Sequence, residues 1–445
     1  MNKFDKSFTD CAASLMSFIE ESPTAFHAVE NISKRLDDIG YARLEEGGKF
    51  DIVRGGKYYV TRNRSSIIAF EIPKESGDTT DSFMICASHS DSPMFKIKSS
   101  GEMTALGNYT KLNTEKYGGM IMSSWFDRPL SVAGRVIIKK DGRFESKTVN
   151  IDRDVAIIPN VCIHFNRTIN DGYRYNAQTD LLPIIGDASE AGALEKEIAD
   201  CANVSAEDIV ASDLYLYNRT KATFIGLSGE FFSAPRIDNL GCAFGSLEGF
   251  ISSEPTKGVI PVYTVFDNEE TGSQSKQGAA STFLYDTLRR ICSALDISGD
   301  DYLRMIAKSF MVSADNGHAK HPNHPELSDC DNSPYMNKGV VIKYNANQRY
   351  TTDALSASIF WEICKKADVP VQVFANRSDL AGGSTLGNIS STQVSLNTVD
   401  IGLAQLAMHS AYETAGTADI LYLKKAIKAF YETVIYCEGD GIYRI

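Results

Sequence analysis

Apolar positions near the start of the chain recur at the spacing of an α-helix. The repeat runs until Gly40 and consists of Phe26, Val29, Ile32, Leu36 and Ile39. Ser22-Pro23 before it is typical of an N-cap followed by proline at the first helical position. With the amphipathic stretch that precedes Ser22, the pattern predicts that the chain opens with two helices.

After about Tyr58 the pattern changes to short apolar runs that are typical of strands. In SFMICASHSDSP an apolar strand over residues 83–87 ends abruptly in polar residues, and GVIPVYTVFDNEETGS and SFMVSADNGHA end in the same way. Helical stretches at 281–295 and 354–367 lie between or after such strands. This alternation predicts an α/β sheet domain.

The middle of the chain has a different pattern. Between about residues 97 and 226 it contains mainly β segments (GRVIIKK, KTVNI and VAIIPNVCIHF), followed by an acidic stretch at 187–213 that we predict to be helical in part. Candidate chemical residues lie on both sides of this segment. We therefore predict a discontinuous domain of residues 1–96 and 227–445, interrupted by a β-rich insertion at 97–226.

Composition narrows the function classes. Among 445 residues, 45 Lys and Arg stand against 57 Asp and Glu, for a net charge of −12, which argues against a general nucleic-acid binder. The nine cysteines are scattered without a CxxC pair, no apolar run is long enough for a membrane span, and the N-terminus lacks the pattern of a signal peptide. We expect a cytoplasmic protein that binds neither nucleic acid nor membrane.

The candidate chemistry is concentrated where predicted strands end. The residues concerned are His89, Asp91, Asp238, Glu269, Glu270, Asp315 and His409. Two imidazoles and several carboxylates at one sheet edge form the ligand set of a divalent metal pair, with zinc, manganese or cobalt as the ion. Each residue alone is more often a strand-end cap or a solvated charge. The adjacent Glu269 and Glu270 repel each other, so they form either an exposed acidic turn or a buried pair that needs a cation or a shared proton.

Two other histidine patterns point to structure and not to chemistry. His318, His321 and His324 are spaced as on a helix, but Pro322 and Pro325 prevent a regular helix there, so we predict no three-histidine metal site. His27 lies one residue from the apolar stripe of the second helix, which predicts a structural or surface role.

Blocks of sequence along essentially the whole chain resemble the aspartyl aminopeptidase family of co-catalytic metallo-aminopeptidases. In the family's order, they are SPTAFHAV, ASHSDSP, WFDRPLSVAGRV, IPNVCIHFNR, APRIDNLGCAF, FDNEETGS, SADNGHAKHPN, IKYNANQRYTT and LAMHSAYET. The resemblance implies an α/β domain with a mixed sheet, helices on both faces and an inserted β-rich dimerisation domain. It also implies two divalent ions per subunit, with zinc first and manganese or cobalt as alternatives.

The resemblance assigns a role to each candidate residue. His89 would hold one metal and His409 the other, Asp238 would bridge both, and Glu270 and Asp315 would complete the two ligand sets. Asp91 would orient the imidazole of His89. Glu269 would accept a proton from the attacking water and return it to the leaving amine.

The family's assembly and substrate pocket supply further expectations. Members form tetrahedral dodecamers built from dimers, and His164 matches a histidine that reaches a neighbouring subunit's active site. His318, Lys343 and Tyr350 match positions near the substrate. Lys343 is the candidate for holding an acidic side chain, with Arg349 less favoured and the main-chain N–H groups of the turn that contains Gly383 and Ser384 as helpers.

The sequence therefore predicts a metallo-aminopeptidase that removes N-terminal Asp or Glu from peptides with a free N-terminus. Three alternatives remain open at this point. The same site could act on neutral N-terminal residues, or a related two-metal carboxypeptidase or deacylase could use a similar ligand set. The chain could also be a scaffold that has lost its chemistry.

Overall fold

Nine α-helices lie within residues 5–76, 81–254 and 256–445, which are the residues that the computed structural model describes. They are α1 (Lys6–Glu21), α2 (Ala25–Asp38), α3 (Ala193–Ala202), α4 (Ile237–Ile251), α5 (Phe283–Ala294), α6 (Gly299–Lys308), α7 (Ala354–Lys366), α8 (Leu386–Ser390) and α9 (Asp419–Tyr431). The predicted helices at 281–295 and 354–367 are confirmed as α5 and α7. None of the helices in these ranges combines the length and the apolar character that a membrane crossing requires.

The second helix begins later than the sequence predicts. Phe26, Val29, Ile32 and Leu36 are buried as expected, but the N-cap is Thr24, so the assignment of Ser22 as N-cap is wrong. Ser22 instead ends α1, where its N–H donates to the carbonyl of Ile19, and its hydroxyl accepts a hydrogen bond from Asn31 Nδ2 at 3.1 Å. Ser22 therefore belongs to the end of α1, three residues before the first residue of α2, Ala25.

The strands run from one end of the chain to the other. They are β1 (Ala42–Leu44), β2 (Lys57–Arg62), β3 (Ser66–Glu71), β4 (Ser82–His89), β5 (Met94–Ala105), β6 (Tyr109–Tyr117), β7 (Leu130–Lys140), β8 (Arg143–Asn150), β9 (Ile184–Asp187), β10 (Ile209–Asn218), β11 (Thr223–Ile225), β12 (Phe231–Ala234), β13 (Val259–Phe266), β14 (Phe310–Ala314), β15 (Gly317–His318), β16 (Val340–Tyr344), β17 (Val371–Ala375), β18 (Asn397–Gly402), β19 (Ala404–Leu406), β20 (Glu413–Gly416), β21 (Tyr436–Gly439) and β22 (Ile442–Arg444).

The largest sheet has the order β1-β2-β3-β13-β4-β14-β18-β16-β17 and mixes parallel with antiparallel pairs. Strands β13, β4, β14 and β18 run parallel to one another in its centre. Every residue of β4 is buried, which is typical of a strand covered on both faces. Met84 and Cys86 pack towards α1, α2, α4, α7 and α9, whereas Phe83 and Ile85 pack towards α5, α6 and α8. The mixed α/β fold class is therefore confirmed, with helices on both faces of the sheet.

A six-stranded sheet with the order β8-β7-β10-β5-β6-β9 contains the strands between Met94 and Asn218. Its apolar face packs with α3, through Ile198 and Ala202, into a separate core. The acidic stretch at 187–213 is helical in part, as predicted, because α3 lies within it. A five-stranded sheet, β11-β12-β20-β19-β15, combines two strands that follow the six-stranded sheet in the chain with three strands that come after β14. The boundaries 97 and 226 and the dimerisation role of the insertion stay predictions.

The predicted strand VAIIPNVCIHF is wrong over most of its length. Only isolated bridges form there, from Ala156 to Leu130 and from Ile157 to Ile184. Pro159 has no N–H to donate to a ladder. The main-chain N–H and the side chain of Asn160 then bind the carboxylate of Asp127, and the chain continues in turns.

Candidate active site

Three parallel strands bring candidate residues to one edge of the large sheet. His89 is the last residue of β4, Asp315 follows the end of β14, and Glu269 and Glu270 follow β13. The register pairs Phe266 of β13 with His89 of β4, so their carboxyl ends stop at the same level. This arrangement explains why residues far apart in sequence meet at this edge.

A short turn positions the two glutamates. Asn268 has a φ of 61°, in the left-handed region that asparagine tolerates better than most residues, and a 3-10 turn follows over Glu269–Thr271. The side-chain oxygen of Asn268 accepts hydrogen bonds from Ser275 Oγ and Gln277 Nε2, both at 2.8 Å. The turn is therefore anchored to the loop that follows it.

Asp238 and His409 approach the same edge from the five-stranded sheet. Asp238 lies at the start of α4, just after β12, and has extended and not helical backbone angles. His409 lies in the loop between β19 and β20, in the left-handed conformation at φ 66°. Strand β20 pairs with both β12 and β19, which brings the two segments together.

Asp238 faces one imidazole with each carboxylate oxygen. Its Oδ1 is 3.6 Å from His89 Nε2, and its Oδ2 is 3.6 Å from His409 Nε2. Asp315 Oδ1 lies 3.7 Å from His89 Nε2, and Glu270 Oε2 lies 3.4 Å from His409 Nε2. These residues form two groups that share Asp238, and within each group one ligand atom per residue lies within 4.8 Å of the others.

Asp91 connects His89 to the glutamate turn. His89 Nδ1 lies 3.1 Å from the main-chain oxygen of Asp91 and 3.3 Å from its Oδ1. The two carboxylate oxygens of Asp91 accept the main-chain N–H groups of Glu269 and Glu270, each at 3.1 Å. Tyr117 OH of β6 donates to Asp91 Oδ2 at 2.6 Å. Asp91 is therefore placed to hold the orientation of the imidazole and of the turn together.

The site fits divalent cations by its chemistry. Asp238 Oδ1 and Glu270 Oε1 are buried and have no hydrogen-bond partner among the described residues. Burial raises the pKa of Glu270 well above its usual value, and the charge of Asp238 adds to the effect. Burial alone would raise the pKa of Asp238 also, but the attraction of the His409 and His89 imidazoles, each 3.6 Å away, outweighs it and lowers that pKa. Zinc and similar ions prefer a donor set of imidazole nitrogens and carboxylate oxygens, and here some of the buried carboxylate oxygens have no other partner among the described residues.

Glu269 lies at the rim of this donor set. Its Oε2 is 3.9 Å from His89 Nε2, and it belongs to neither of the two ligand groups. Burial raises the pKa of Glu269 to about 8, although the charge of His89 acts in the opposite direction. A carboxylate that faces the two candidate ligand groups without joining them is placed to accept a proton from a molecule bound there.

Two of the predicted substrate residues, Lys343 and Tyr350, lie beside Asp315. Lys343 of β16 is 2% exposed, and its Nζ donates to the main-chain oxygen of Asn316 at 3.0 Å. The same Nζ atom lies 3.8 Å from Asp315 Oδ2 and 5.4 Å from the ring centroid of Tyr350. His318 is exposed, with its ring 6.3 Å from that of Phe374.

A cavity of about 370 Å³ opens beside His318 and Phe374. His318 and Gly383 line it, and Ser384 follows Gly383 with its hydroxyl bonded to Asn388. The fully buried Asp400 connects two segments of this region by hydrogen bonds. It accepts from Thr351 N–H at 2.5 Å and from Thr385 Oγ1 at 2.8 Å, and these residues flank Tyr350 and Ser384.

His164 lies apart from the two ligand groups of its own chain. It is an exposed turn residue between the exposed apolar side chains of Ile163 and Phe165, of which Phe165 is 87% exposed. His321 and His324 do not lie on an α-helix, as predicted from Pro322 and Pro325. His27 is partly buried, and its Nδ1 lies 2.9 Å from Thr24 Oγ1 at the start of α2.

Several residues of the site carry no signal in the sequence. Glu413, Gln405 and Asn316 form a buried network beneath Asp238 and His409, and Tyr117 reaches Asp91 from the six-stranded sheet. Glu413 lies four residues after His409, but a carboxylate at that spacing is not distinctive. Their positions depend on strand pairing that a single sequence does not reveal.

The fold and the site define the class of protein as a metal-dependent hydrolase. The family model described as "Aminopeptidase I zinc metalloprotease (M18)" matches residues 18–431. The chain belongs to this M18 family and is a metallo-aminopeptidase, which releases the N-terminal residue of peptides.

Similar proteins extend over nearly the whole chain. A probable M18 family aminopeptidase 2 of Clostridium novyi is 47% identical, covering 94% of this chain and 98% of the relative, and its counterpart in Clostridium acetobutylicum is 42% identical, covering 96% and 99%. Among solved structures, the Ape4 and Nbr1 complex contains a chain with a TM-score of 0.94 and 35% identity, covering 99% of this chain and 91% of that one. The mApe1 dodecamer of S. cerevisiae has a TM-score of 0.83 and 26% identity, with coverage of 96% and 97%.

Proposed function

We propose that this aminopeptidase uses two divalent metal ions per chain and preferentially removes N-terminal Asp or Glu. The ions are zinc in the first instance, with manganese and cobalt as alternatives. His89 and Asp315 would hold one ion, Glu270 and His409 the other, and Asp238 would serve both.

The observation that carries the two-ion proposal is the position of Asp238 between the imidazoles. Each of its carboxylate oxygens lies 3.6 Å from a different Nε2 atom. A carboxylate that served one ion would turn both oxygens, or only one, towards a single set of ligands. Two oxygens directed at two imidazoles is the arrangement expected of a bridging ligand.

The ions, when bound, would supply Lewis acidity that lowers the pKa of water and stabilises negative charge on the scissile carbonyl oxygen. The chain's own residues would transfer the proton and keep the site in its geometry. Glu269 would take the proton from the attacking water and deliver it to the leaving amine. Asp91 would keep both His89 and the main chain of Glu269 in place through the hydrogen bonds described above.

Acidic preference is supported by the position of Lys343. Its ammonium is buried, has one hydrogen-bond acceptor at 3.0 Å and lies beside Asp315, where the substrate's first residue would sit. An ammonium in such a place can hold a side-chain carboxylate. Gly383 and Ser384 would complete the pocket with main-chain N–H groups, and His318 and Tyr350 would line it.

Assembly into dimers and then a tetrahedral dodecamer is part of the proposal. It is supported by the likeness to the mApe1 dodecamer and by the exposed apolar residues around His164. In the dimer, His164 would reach the partner subunit's active site and polarise the carbonyl. The insertion at 97–226 would form the dimer contact, and we propose a cytoplasmic location because the scattered cysteines suit a reducing compartment.

A panel of peptides that begin with Asp, Glu, Leu or Lys tests the proposal. The protein is assayed as purified, after chelation, and after zinc, manganese or cobalt is restored, with the Glu269→Gln variant as the control for contaminating peptidases. We expect activity on Asp and Glu peptides that disappears on chelation and returns with metal. Preference for Leu peptides would instead support the same chemistry on neutral N-terminal residues.

A further inference from the structure

Glu413 is a buried carboxylate that binds the main chain of two candidate metal ligands. Its Oε2 accepts the N–H of Asp238 at 3.0 Å, and its Oε1 accepts the N–H of His409 at 2.8 Å. The side chain is inside the protein, with the residue 2% exposed. Glu413 therefore joins the main chain of Asp238 to the main chain of His409, which lies on a different segment.

Strand pairing explains this position. Glu413 is the first residue of β20 and pairs with Ala234, the last residue of β12. Asp238 lies four residues after Ala234 in the chain. On its other side β20 pairs with β19, so that the side chain of Glu413 closes the loop that carries His409.

The network continues from Glu413 to the ligand group on the other side. Gln405 Nε2 donates to Glu413 Oε1 at 3.2 Å, and Gln405 Oε1 accepts from Asn316 Nδ2 at 2.8 Å. Asn316 follows Asp315 in the chain, and its carbonyl accepts the ammonium of Lys343. Gln405 and Asn316 are both buried. An unbroken line of hydrogen bonds thus joins His409, Asp238 and the segment of Asp315 beneath the site.

The conformation of His409 makes such support necessary. Its φ of 66° is in the left-handed region, which is unfavourable for a residue with a side chain. The hydrogen bond from its N–H to Glu413 Oε1, at 2.8 Å, holds the main chain in this conformation.

We propose that Glu413 is a positioning residue, which holds Asp238 and His409 at the separation that two metal ions require and, through Gln405 and Asn316, sets Asp315 relative to them. Glu413 does not touch the ions or the substrate. This inference rests on the two-ion function proposed above. It predicts that metal affinity depends on a carboxylate that is not itself a ligand.

The experiment is zinc binding to the metal-free protein, measured by competition with a chromogenic chelator. Glu413→Gln keeps the size of the side chain but replaces one acceptor oxygen with an NH₂ group that faces N–H donors. We expect it to weaken zinc binding by about 10- to 100-fold, the usual effect of losing a group that orients metal ligands. Its melting temperature in chelator, which reports folding without metal, is measured in parallel.

A matched control separates positioning from the general effect of losing a buried carboxylate. Glu71 is also buried, but its contacts are Tyr41 and Lys57. We expect Glu71→Gln to bind zinc as wild type does, even if its melting temperature falls. Wild-type zinc affinity in Glu413→Gln, or an equal loss in both variants, would overturn the proposal.

Two further measurements keep the result decisive. If Glu413→Gln does not fold, Gln405→Met breaks the link to Asn316 at similar volume; a several-fold loss of zinc affinity supports the network and unchanged affinity overturns it. Zinc stoichiometry of the wild-type protein distinguishes the two levels of the argument. Two ions in wild type with no effect of Glu413→Gln contradict only the positioning role, whereas fewer than two ions contradict the proposed function itself.

Discussion

Glu269 and Glu270 are neighbours in sequence, but their carboxylates face different imidazoles. Glu269 Oε2 lies 3.9 Å from His89 Nε2, whereas Glu270 Oε2 lies 3.4 Å from His409 Nε2. Only Glu270 belongs to a potential ligand group. The 3-10 turn that contains both residues thus separates their directions, which allows one to bind metal and the other to move a proton.

Substitution of each glutamate should therefore have a different effect. Glu269→Gln should retain two bound ions and lose about 10²- to 10⁴-fold in kcat, because an amide cannot accept the water's proton. Glu270→Gln should instead release or weaken one ion. Elemental analysis of both variants beside their kcat values measures the division; loss of metal from Glu269→Gln and full occupancy in Glu270→Gln would reverse the assignment.

Lys343→Met should change the preference for the substrate's first residue. A buried charge-assisted hydrogen bond contributes about 1.5–3 kcal/mol, or roughly ten- to a hundredfold in selectivity. We expect kcat/KM for Asp peptides to fall by at least that factor, while Leu peptides are cleaved as well as before or better, because a Leu side chain offers the ammonium no acceptor and loses nothing when it is removed.

Two controls accompany the Lys343 variant. Because its ammonium lies 3.8 Å from Asp315 Oδ2, the ion content must be shown to be unchanged. The exposed Arg349, changed to Met, should leave the selectivity as it is. Equal losses on Asp and Leu peptides in Lys343→Met would show a general role in catalysis or folding and not in specificity.

His164→Phe should lower kcat without removing metal, because the exposed histidine would act in the partner subunit's site. Mixing this variant with Glu269→Gln under conditions of subunit exchange should restore part of the activity, since a mixed dimer contains one site with both functional residues. The exposed His324, changed to Phe, should have no effect. Lack of complementation after exchange has been demonstrated would exclude a role in trans.

His27 should make the stability of the protein fall as the pH decreases. Burial lowers the pKa of His27 to about 4 and Arg236 adds to the shift, whereas Glu30 acts against it. Below the ordinary value of 6.5 the unfolded state binds a proton that the folded state does not, so this residue destabilises the fold progressively between pH 6.5 and 4, by up to about 1.4 kcal/mol per pH unit.

A comparison of melting temperatures tests this linkage. His27→Gln lacks the titrating group, so the difference in melting temperature between wild type and variant should shrink or reverse as the pH falls from 6.5 to 4. Above pH 6.5 the difference should be constant. A difference that stays constant across the whole range would show that the folded protein takes up the proton as readily as the unfolded chain.

The sequence predicted the elements whose residues repeat with a clear period. The apolar stripe of α2, the buried strand β4 and the strand ends that carry His89 and Asp315 were all recognisable, because periodicity and abrupt changes of polarity are local signals. The N-cap of α2 and the strand at 155–165 were wrong. Ser22 ends the preceding helix α1 instead, and Asn160 binds Asp127, which lies 33 residues away in the chain.

The candidate site divides in the same way. Strand-end residues such as His89 and Asp315 could be proposed from their types and from the family resemblance. Glu413 and Tyr117 could not, because their roles come from strand pairing between segments far apart in the chain, and nothing in their immediate sequence distinguishes them from ordinary strand residues. Asp91, by contrast, lies two residues after His89, and its orienting role could be proposed from the family resemblance.

The most direct test of the central claim, that Asp238 serves two metal ions, is a crystal structure of the zinc-loaded protein with anomalous difference maps at the zinc edge. The account predicts two peaks in each chain, one on either side of the Asp238 carboxylate. One peak should contact His89 and Asp315, and the other Glu270 and His409. A single peak, or a second peak that Asp238 does not contact, would contradict the account.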